Sequence, residues 1–174
     1  MNSMTKKAWL PALAILITQS TPSAPQSASV EARGVRVPVP AGWSANDRLI
    51  AASGPIAMTN FGGAYTQGGF PPPDGAEIEI TSVPAPPNLV DYIRKELAGP
   101  DVAPLQEFAQ GANSGIQATY TESLNPDTSL KTVVDYIPHG ATLYKFYLTH
   151  WTGDRNEPAL DATLANLVRE AQLR

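Results

Sequence analysis

The chain contains no cysteine and only two histidines among its 174 residues. Without cysteine, neither a disulfide framework nor a thiol nucleophile is available. A zinc site needs three or four suitably placed His, Cys or carboxylate ligands, and neither an HExxH nor a CxxC spacing occurs around His139 or His150. We therefore predict no metal site and no cofactor, and we interpret both histidines as partly exposed residues without a special role.

Motifs for nucleophilic catalysis and for phosphate binding are also missing. The sequence has no GxSxG elbow, and the glycine-rich stretch "GGAYTQGG" (62–69) lacks the Lys-Ser/Thr and the helix that would hold a phosphate. Glu77 and Glu79 form a carboxylate pair at i, i+2, and "TGDRNE" (152–157) could supply oxygen ligands to calcium. The outward polar face of a strand and a helix-capping turn explain these two features more simply. We predict no catalytic residues.

Long apolar runs are limited to one, from Ala8 to Ile17. Ten residues are too few to cross a hydrocarbon core of about 30 Å as a helix. Lys6 and Lys7 precede this run, and small polar residues follow it up to position 29. This is the pattern of a secretory signal peptide, so we assign residues 1–29 to a signal and 30–174 to the folded domain. The expected location is periplasmic or secreted, with no stable membrane insertion once the signal is removed. An uncleaved anchor is the alternative.

Basic residues are scarce. The chain has 12 Lys and Arg against 16 Asp and Glu, and loss of Lys6 and Lys7 with the signal changes the net charge from −4 to −6. No cluster of basic residues remains to contact phosphates. Nucleic acid and anionic lipid surfaces are therefore excluded as expected partners.

Proline and glycine, in contrast, are abundant, with 17 and 13 residues, and they predict short elements joined by long loops. "AEIEITSV" (76–83) alternates like a half-buried strand, and Asn88 caps a helix in "LVDYIRKEL". Runs of strands with two intervening helices predict a single α+β domain. Its central antiparallel sheet should have about six to seven strands flanked by two main helices.

Four local predictions are more specific. The alternating valines of "VRVPVP" indicate an edge or entry strand, because its prolines cannot donate to a neighbour. Two short apolar runs around Gly54-Pro55 indicate a hairpin. A second hairpin is expected to turn at Asn113-Ser-Gly115, and a further turn at 125–129. The last helix is predicted over Pro158–Leu173, with Asn156 as its N-cap.

Aromatic residues concentrate in "TLYKFYLTHW" (142–151). Bulky side chains on both faces indicate a central strand, and we assign Phe146 and Leu148 to the core. The predicted candidate binding surface consists of the aromatic residues that this core does not require: Tyr65, Phe70, Tyr147 and Trp151.

Several stretches together resemble the PsbP-like fold of exported bacterial PsbP/LpqN-like proteins. They are "PAGW" at 40–43, "NLVDYIRKEL" at 88–97 and "LYKFY" at 143–147 followed by a closing helix. The resemblance spans about residues 33–173. It implies an antiparallel sheet flanked by helices, no generic enzymatic activity, and a role in binding other proteins or as an accessory factor. No catalytic or ligand residue follows from it.

The leading functional hypothesis is therefore an exported, non-enzymatic accessory or binding module for an unknown protein or envelope component. An alternative is a carrier of a small apolar ligand or lipid held between the sheet and a helix. A hydrolase without a recognisable motif is a distant third. The oligomeric state is left open.

Overall fold

The computed structural model of the chain describes residues 28–46, 54–62, 65–66, 69–99 and 101–174. Within these residues the helices are α1 (Leu89–Glu96) and α2 (Glu157–Glu170). The strands are β1 (Ser29–Ala32), β2 (Val35–Pro38), β3 (Ser44–Ala45), β4 (Ile56–Thr59), β5 (Ala76–Pro84), β6 (Asp101–Val102), β7 (Gln106–Gln110), β8 (Asn113–Asn125), β9 (Thr128–His139), β10 (Thr142–Trp151) and β11 (Gln172–Leu173).

The main sheet has eight strands in the order β3-β4-β5-β10-β9-β8-β6, with β7 also paired to β8. Every pairing is antiparallel. Strands β8, β9 and β10 are long and joined by tight turns, so they form a continuous meander. The predicted α+β fold with a central antiparallel sheet and two helices is confirmed, and the sheet has eight strands rather than six or seven.

A second, small sheet has the order β1-β2-β11. The prediction that β2 is an edge strand is wrong, because β2 pairs with β1 on one side and with β11 on the other. Its proline, Pro38, lies at the strand end, where the missing N–H costs little. The hydroxyl of Tyr144 donates to the carbonyl of Arg174 at 2.7 Å and so ties this sheet to β10.

One face of the main sheet, here called the inner face, is sealed by α2 and by the small sheet. Phe146 and Leu148 are fully buried there, as predicted. Because strand side chains alternate between faces, β4, β5, β9 and β10 each contribute every second residue. The buried cluster comprises Val35, Val37, Ile56, Met58, Ala76, Ile78, Ile80, Val133, Ile137, Tyr144, Phe146, Leu148, Leu160, Leu164, Leu167, Val168 and Ala171.

The opposite, outer face carries α1. Asn88 caps this helix as predicted, since its Oδ1 accepts a hydrogen bond from the Asp91 N–H at 3.1 Å. Ile93 and Leu97 of the helix pack on the strands, and the cluster around them is smaller than the inner one. Its buried members are Ile93, Leu97, Ala118, Val134, Tyr136 and Leu143.

The hairpin of β7 and β8 is present, but its turn is two residues earlier than predicted, at 111–112. Asn113 is buried inside β8, and its side-chain Nδ2 donates to the carbonyls of Val168 (2.7 Å) and Ala171 (3.0 Å) at the end of α2. Gly115 is needed for close approach, since a Cβ there would lie 1.9 Å from the Tyr136 carbonyl oxygen. Both residue types are typical of turns, and here they serve tertiary contacts.

The last helix begins close to its predicted start but ends at Glu170, three residues before Leu173. Residues 172–173 instead form β11, which the sequence pattern did not separate from the helix. At the other end, Asn156 occupies the N-cap position without a side-chain capping bond. Asp154 orders this turn, because its Oδ1 accepts from the Asn156 N–H at 2.7 Å.

Other local predictions have mixed outcomes. The turn around Asn125 is confirmed, with residues 126–127 joining β8 to β9. In the hairpin predicted around Gly54-Pro55, the second run forms β4. The first run, 49–54, lies outside the described residues except for Gly54, and the described strand that precedes β4 and pairs with it is β3. The predicted signal also lies outside the described residues, apart from its last two positions. No described helix has the length and apolarity needed to cross a membrane.

Candidate functional site on the outer face

The four aromatic residues of the predicted binding surface lie on the outer side of the main sheet. Tyr147 and Trp151 project from β10 on the face opposite to Phe146 and Leu148. Tyr65 reaches the same face, because its hydroxyl donates to Glu77 Oε1 at 2.6 Å. All four are partly exposed.

The loop between β4 and β5 folds over one end of this face. The Trp151 indole N–H donates to the carbonyl of Pro71 at 2.8 Å, and the Phe70 ring meets the indole edge-on at 6.2 Å. Hydrogen bonds between Thr66 and Phe70 close the loop locally. Trp151 therefore anchors the loop and also exposes part of its ring.

Helix α1 covers only part of the face. Eight helical residues span about 12 Å, whereas the ten residues of β10 span about 33 Å. The helix packs near Leu143 at one end of the strand and does not reach the other end, where the loop between β4 and β5 contacts Trp151. We call the uncovered part the open outer face; it comprises Tyr65, Phe70, Glu77, Glu79, Tyr120, Glu122, Tyr147, Thr149 and Trp151.

The open outer face is acidic. Glu77 and Glu79 lie opposite Thr149 and Tyr147 on β10, so the predicted outward carboxylate pair is confirmed. Burial raises the pKa of Glu79, and the neighbouring Glu77 carboxylate adds to the shift. On the described strands of the outer face, Lys145 is the only basic side chain.

A cavity of about 750 Å³ opens where the end of α1 meets β6, β8 and β10. We call it the α1 cavity. It adjoins the open outer face and shares three of its residues. Its lining consists of Glu96, Leu97, Gly99, Asp101, Tyr120, Thr121, Glu122, Ser123 and Tyr147.

One wall of the α1 cavity is an ion pair. Lys145 Nζ lies 2.6 Å from Glu96 Oε1, and the Tyr147 hydroxyl donates to the same oxygen at 3.2 Å. Burial lowers the pKa of Lys145, but the hydrogen bond to Glu96 and the interactions with Tyr147 outweigh it, so the pKa is raised. Burial raises the pKa of Tyr147 to about 12. Both groups therefore keep their protons at neutral pH.

Two aromatic residues near the cavity were missed in the sequence. Tyr120 lines it, and Tyr136 is a fully buried neighbour whose phenol interacts with Glu96, Tyr120 and Tyr147. Burial raises the pKa of both phenols. The alternation of β8 and β9 could have placed them on the face of Tyr147, had the registers of these strands been known.

Neither histidine is partly exposed, as both were predicted to be. His139 is exposed at one end of the β9–β10 hairpin, but His150 is fully buried at the other end. Its Nδ1 lies 2.8 Å from the Trp151 carbonyl, and its Nε2 has no partner within the described structure. The described residues contain no group of three or more His, Asp or Glu side chains that could hold a metal ion.

Comparison with known proteins gives a likeness of fold alone. No family model and no curated protein matches the sequence. A crystal structure from Bacteroides thetaiotaomicron superposes with a TM-score of 0.50 at 15% identity; the match covers 81% of this chain, which spans 45% of the length of that protein. LpqN, involved in cell envelope biogenesis of Mycobacterium tuberculosis, has a TM-score of 0.48 at 17% identity, over 85% of this chain and 90% of LpqN.

Cyanobacterial PsbP from Synechocystis is a third similar structure, with a TM-score of 0.42 at 11% identity, over 81% of this chain and 87% of that protein. The antiparallel sheet flanked by helices that the resemblance implied is present, and the chain is similar in fold to LpqN and to PsbP. Nothing about the function of this chain follows from likenesses of this size.

Proposed function

We propose that this chain is an exported, non-enzymatic accessory module that binds a protein of the cell envelope through the open outer face. One observation carries the proposal. It is that Tyr65, Phe70, Tyr147 and Trp151 are partly exposed on the outer side of the main sheet, and of these only Tyr147 packs against a buried cluster. Partly exposed aromatic residues are enriched at protein interfaces. LpqN, which has a similar fold, is described as involved in cell envelope biogenesis.

Charge defines the partner more closely. Glu77, Glu79 and Glu122 give the open outer face a negative potential, and Lys145 is neutralised by its pair with Glu96. A complementary partner presents Lys or Arg side chains around an apolar centre, because opposite potentials raise the association rate and disfavour neutral competitors. We therefore propose a protein with a basic contact surface.

A carrier of apolar ligands is less well supported. Such a ligand was expected between the sheet and the last helix, but α2 packs directly on the inner face through Leu160, Leu164 and Leu167. The cavity at that interface measures about 110 Å³ and includes Lys131 and Asp161 in its lining. Ligand pockets for drug-sized molecules usually have roughly 300–1,000 Å³.

A histidine-based hydrolase finds no support in the placement of the two histidines. His139 and His150 lie at opposite ends of the long hairpin. The buried ring of His150 faces a carbonyl of its own strand. A general base must reach the substrate proton directly or through one water.

The partner can be sought by site-specific photo-crosslinking in cells of the source organism. A photoreactive residue at Thr149 lies in the centre of the open outer face, and one at Thr163 lies on the exposed side of α2 as the matched control. We expect the Thr149 position to yield one dominant protein adduct in the envelope fraction, which the Thr163 position does not yield. Equal adduct patterns from both positions would contradict the proposed face.

Recovery of an adduct is not sufficient evidence for a functional interface. The cross-linked protein must also bind the purified chain, and the charge reversal Glu79→Lys must weaken that binding at least tenfold. The control Glu170→Lys makes the same change of charge on α2. If both variants bind equally well, the adduct reflects proximity alone.

A further inference from the structure

We infer that the first half of α2, residues 157–164, is a proton-controlled segment: it stays closed on the main sheet while Asp135 is protonated and opens locally when Asp135 loses its proton. The second half of the helix remains attached. The inference concerns the inner face, so it does not depend on the binding role proposed for the open outer face.

Asp135 is a completely enclosed carboxyl group. It lies on β9, directly opposite Gln117 of β8 and Phe146 of β10, and it is 0% exposed. Gln117 Nε2 donates to its Oδ1 at 2.8 Å, whereas its Oδ2 is buried and has no hydrogen-bond partner within the described structure. Burial penalises the ionised form of such a group far more than the neutral form.

Helix α2 brings a second carboxylate to this point. Asp161 acts electrostatically on Asp135, and its own Oδ1 is buried without a hydrogen-bond partner among the described residues. A cavity of about 110 Å³ lies at this contact between helix and sheet, with room for water. Its lining consists of Gln117, Thr119, Lys131, Val133, Asp161 and Leu164. The contact is therefore polar and incompletely packed here, unlike the apolar contacts elsewhere along α2.

No counter-ion is assigned to Asp135 itself. Lys131 is the nearest basic side chain along β9, and its Nζ lies 2.5 Å from Glu157 Oε1 and 3.8 Å from Asp161 Oδ2, both on α2. Strand β8 contributes Gln117 and Thr119, which do not titrate. The titratable side chains on this face around Asp135 are Asp161 and Glu157 of α2, Lys131 of β9, and Tyr144 and His150 of β10. Ionisation of Asp135 thus places a second negative charge against Asp161.

The two halves of α2 are attached differently. At the end of the helix, Asn113 Nδ2 donates to the carbonyls of Val168 and Ala171, and the following strand β11 pairs with β2. The first half has the apolar contacts of Leu160 and Leu164 and the partly exposed ion pair with Lys131, which contributes little stability. Local opening begins where attachment is weakest, so it should begin in the first half.

The direction of the pH effect follows from the burial of the carboxyl group. Burial, with a contribution from Asp161, raises the pKa of Asp135 to about 6 from an ordinary value near 4. The closed state therefore binds the proton more tightly and is favoured at low pH, and opening becomes easier as pH rises from about 4 to 6. If opening restores the ordinary pKa, the open fraction increases about 20-fold between pH 4.5 and 7.

The test is amide hydrogen exchange of the ¹⁵N-labelled chain, measured by NMR at pH 4.5 and 7 and at several low urea concentrations. Protection factors corrected for intrinsic exchange are compared. We expect the amides of 160–165 to be less protected than those of 168–170 and of β9, with little dependence on urea, as is typical of local opening. Their protection should fall at least fivefold between pH 4.5 and 7.

Matched variants assign the pH effect to the buried carboxyl group. Asp135→Asn keeps the shape of the side chain but cannot ionise, so the protection of 160–165 should differ less than twofold between the two pH values. Asp161→Asn removes the facing charge and should reduce the pH effect at least twofold. Glu107→Gln removes a carboxylate from an exposed position on β7 and should keep the full effect of the natural chain.

Three results would overturn the inference. They are a fall in protection of less than fivefold in the natural chain, protection of 160–165 equal to that of β9, and a pH effect of natural size in Asp135→Asn. Should Asp135→Asn not fold, Asp161→Asn decides in its place, and an undiminished pH effect in that variant would count against the inference.

Discussion

The two faces of the main sheet are covered to different extents, although both are made by the same strands. On the inner face, α2 has 14 residues and joins the small sheet over a large apolar cluster. On the outer face, α1 has eight residues and covers one end. The remaining outer surface is partly exposed, aromatic and acidic. Stability is therefore concentrated on the inner face, and the outer face is the one that we propose for binding.

The inner face also contains polar groups whose burial has consequences. Asp135 is fully buried between Phe146 and Gln117, and Gln117 Nε2 donates to its Oδ1 at 2.8 Å. Burial raises the pKa of Asp135 to about 6, in spite of this hydrogen bond, and the nearby Asp161 carboxylate adds to the shift. On the outer face, the carboxylates of Glu77 and Glu79 are half-buried and that of Glu122 is exposed.

The largest expected effect is the loss of a core ring. Phe146→Ala should lower the free energy of unfolding by about 3–5 kcal/mol, since it removes a large side chain and leaves a cavity. On the same strand, Tyr147→Ala should cost clearly less, because Tyr147 is partly exposed. Urea unfolding of both variants checks the difference. Equal decreases in the free energy of unfolding for the two variants would contradict the proposed difference between the two faces.

The pH dependence of stability tests the buried carboxyl group. A folded-state pKa raised to about 6 means that the native state binds the proton more tightly. The contribution of Asp135 is therefore complete below about pH 4 and is lost as pH rises towards 6, by roughly 2–3 kcal/mol. Asp135→Asn should remove this fall and be more stable than the natural chain at pH 7. The free energy of unfolding of both proteins, measured between pH 4 and 8, checks this prediction. Parallel pH dependences for the natural chain and Asp135→Asn would contradict it.

The loss of a helix-end contact should have a smaller effect. Asn113→Ala removes the two hydrogen bonds that hold the Val168 and Ala171 carbonyls, at a cost of about 1–3 kcal/mol. The exposed neighbour Ser114→Ala is the control. Hydrogen exchange should accelerate in the last turn of α2 more than elsewhere. Uniform acceleration along the chain would mean that the contact acts only through global stability.

The smallest effect on stability is expected on the outer face. Glu79→Gln removes a half-buried carboxylate whose pKa is raised by burial and by Glu77, so stability at pH 7 should stay equal or rise by less than about 1 kcal/mol. Thermal unfolding checks this. A clear destabilisation would show that Glu79 is part of the structural framework and not of a free surface.

The sequence predicted the fold where local pattern and tertiary environment agree. Alternation in 76–83 and helical spacing in α1 identified these elements, and Phe146 and Leu148 are in the core. Asn113 and Gly115 were misread as a turn because both residue types favour turns, while their actual contacts come from residues more than 20 positions away. A single sequence does not contain those distances.

In the candidate site, too, some residues could be identified from local sequence patterns and others depend on contacts between distant strands. The exposed aromatic residues were identified because the predicted core did not need them. Tyr120, Tyr136 and Lys145 could not be joined to Tyr147, since strand register brings them together and alternation alone does not fix it. His150 is buried and not partly exposed, because the inner face is covered at this end of β10, and nothing in "LTHW" reveals that cover.

We propose a division of roles in which the open outer face binds a partner and the inner face stabilises the fold. Its most direct test is the dissociation constant of the cross-linked partner for Glu79→Lys and Glu170→Lys, measured beside their unfolding free energies. We predict at least tenfold weaker binding for Glu79→Lys, unchanged binding for Glu170→Lys, and stabilities within about 1 kcal/mol of each other. Equal affinities, or a loss of affinity that follows the loss of stability, would contradict it.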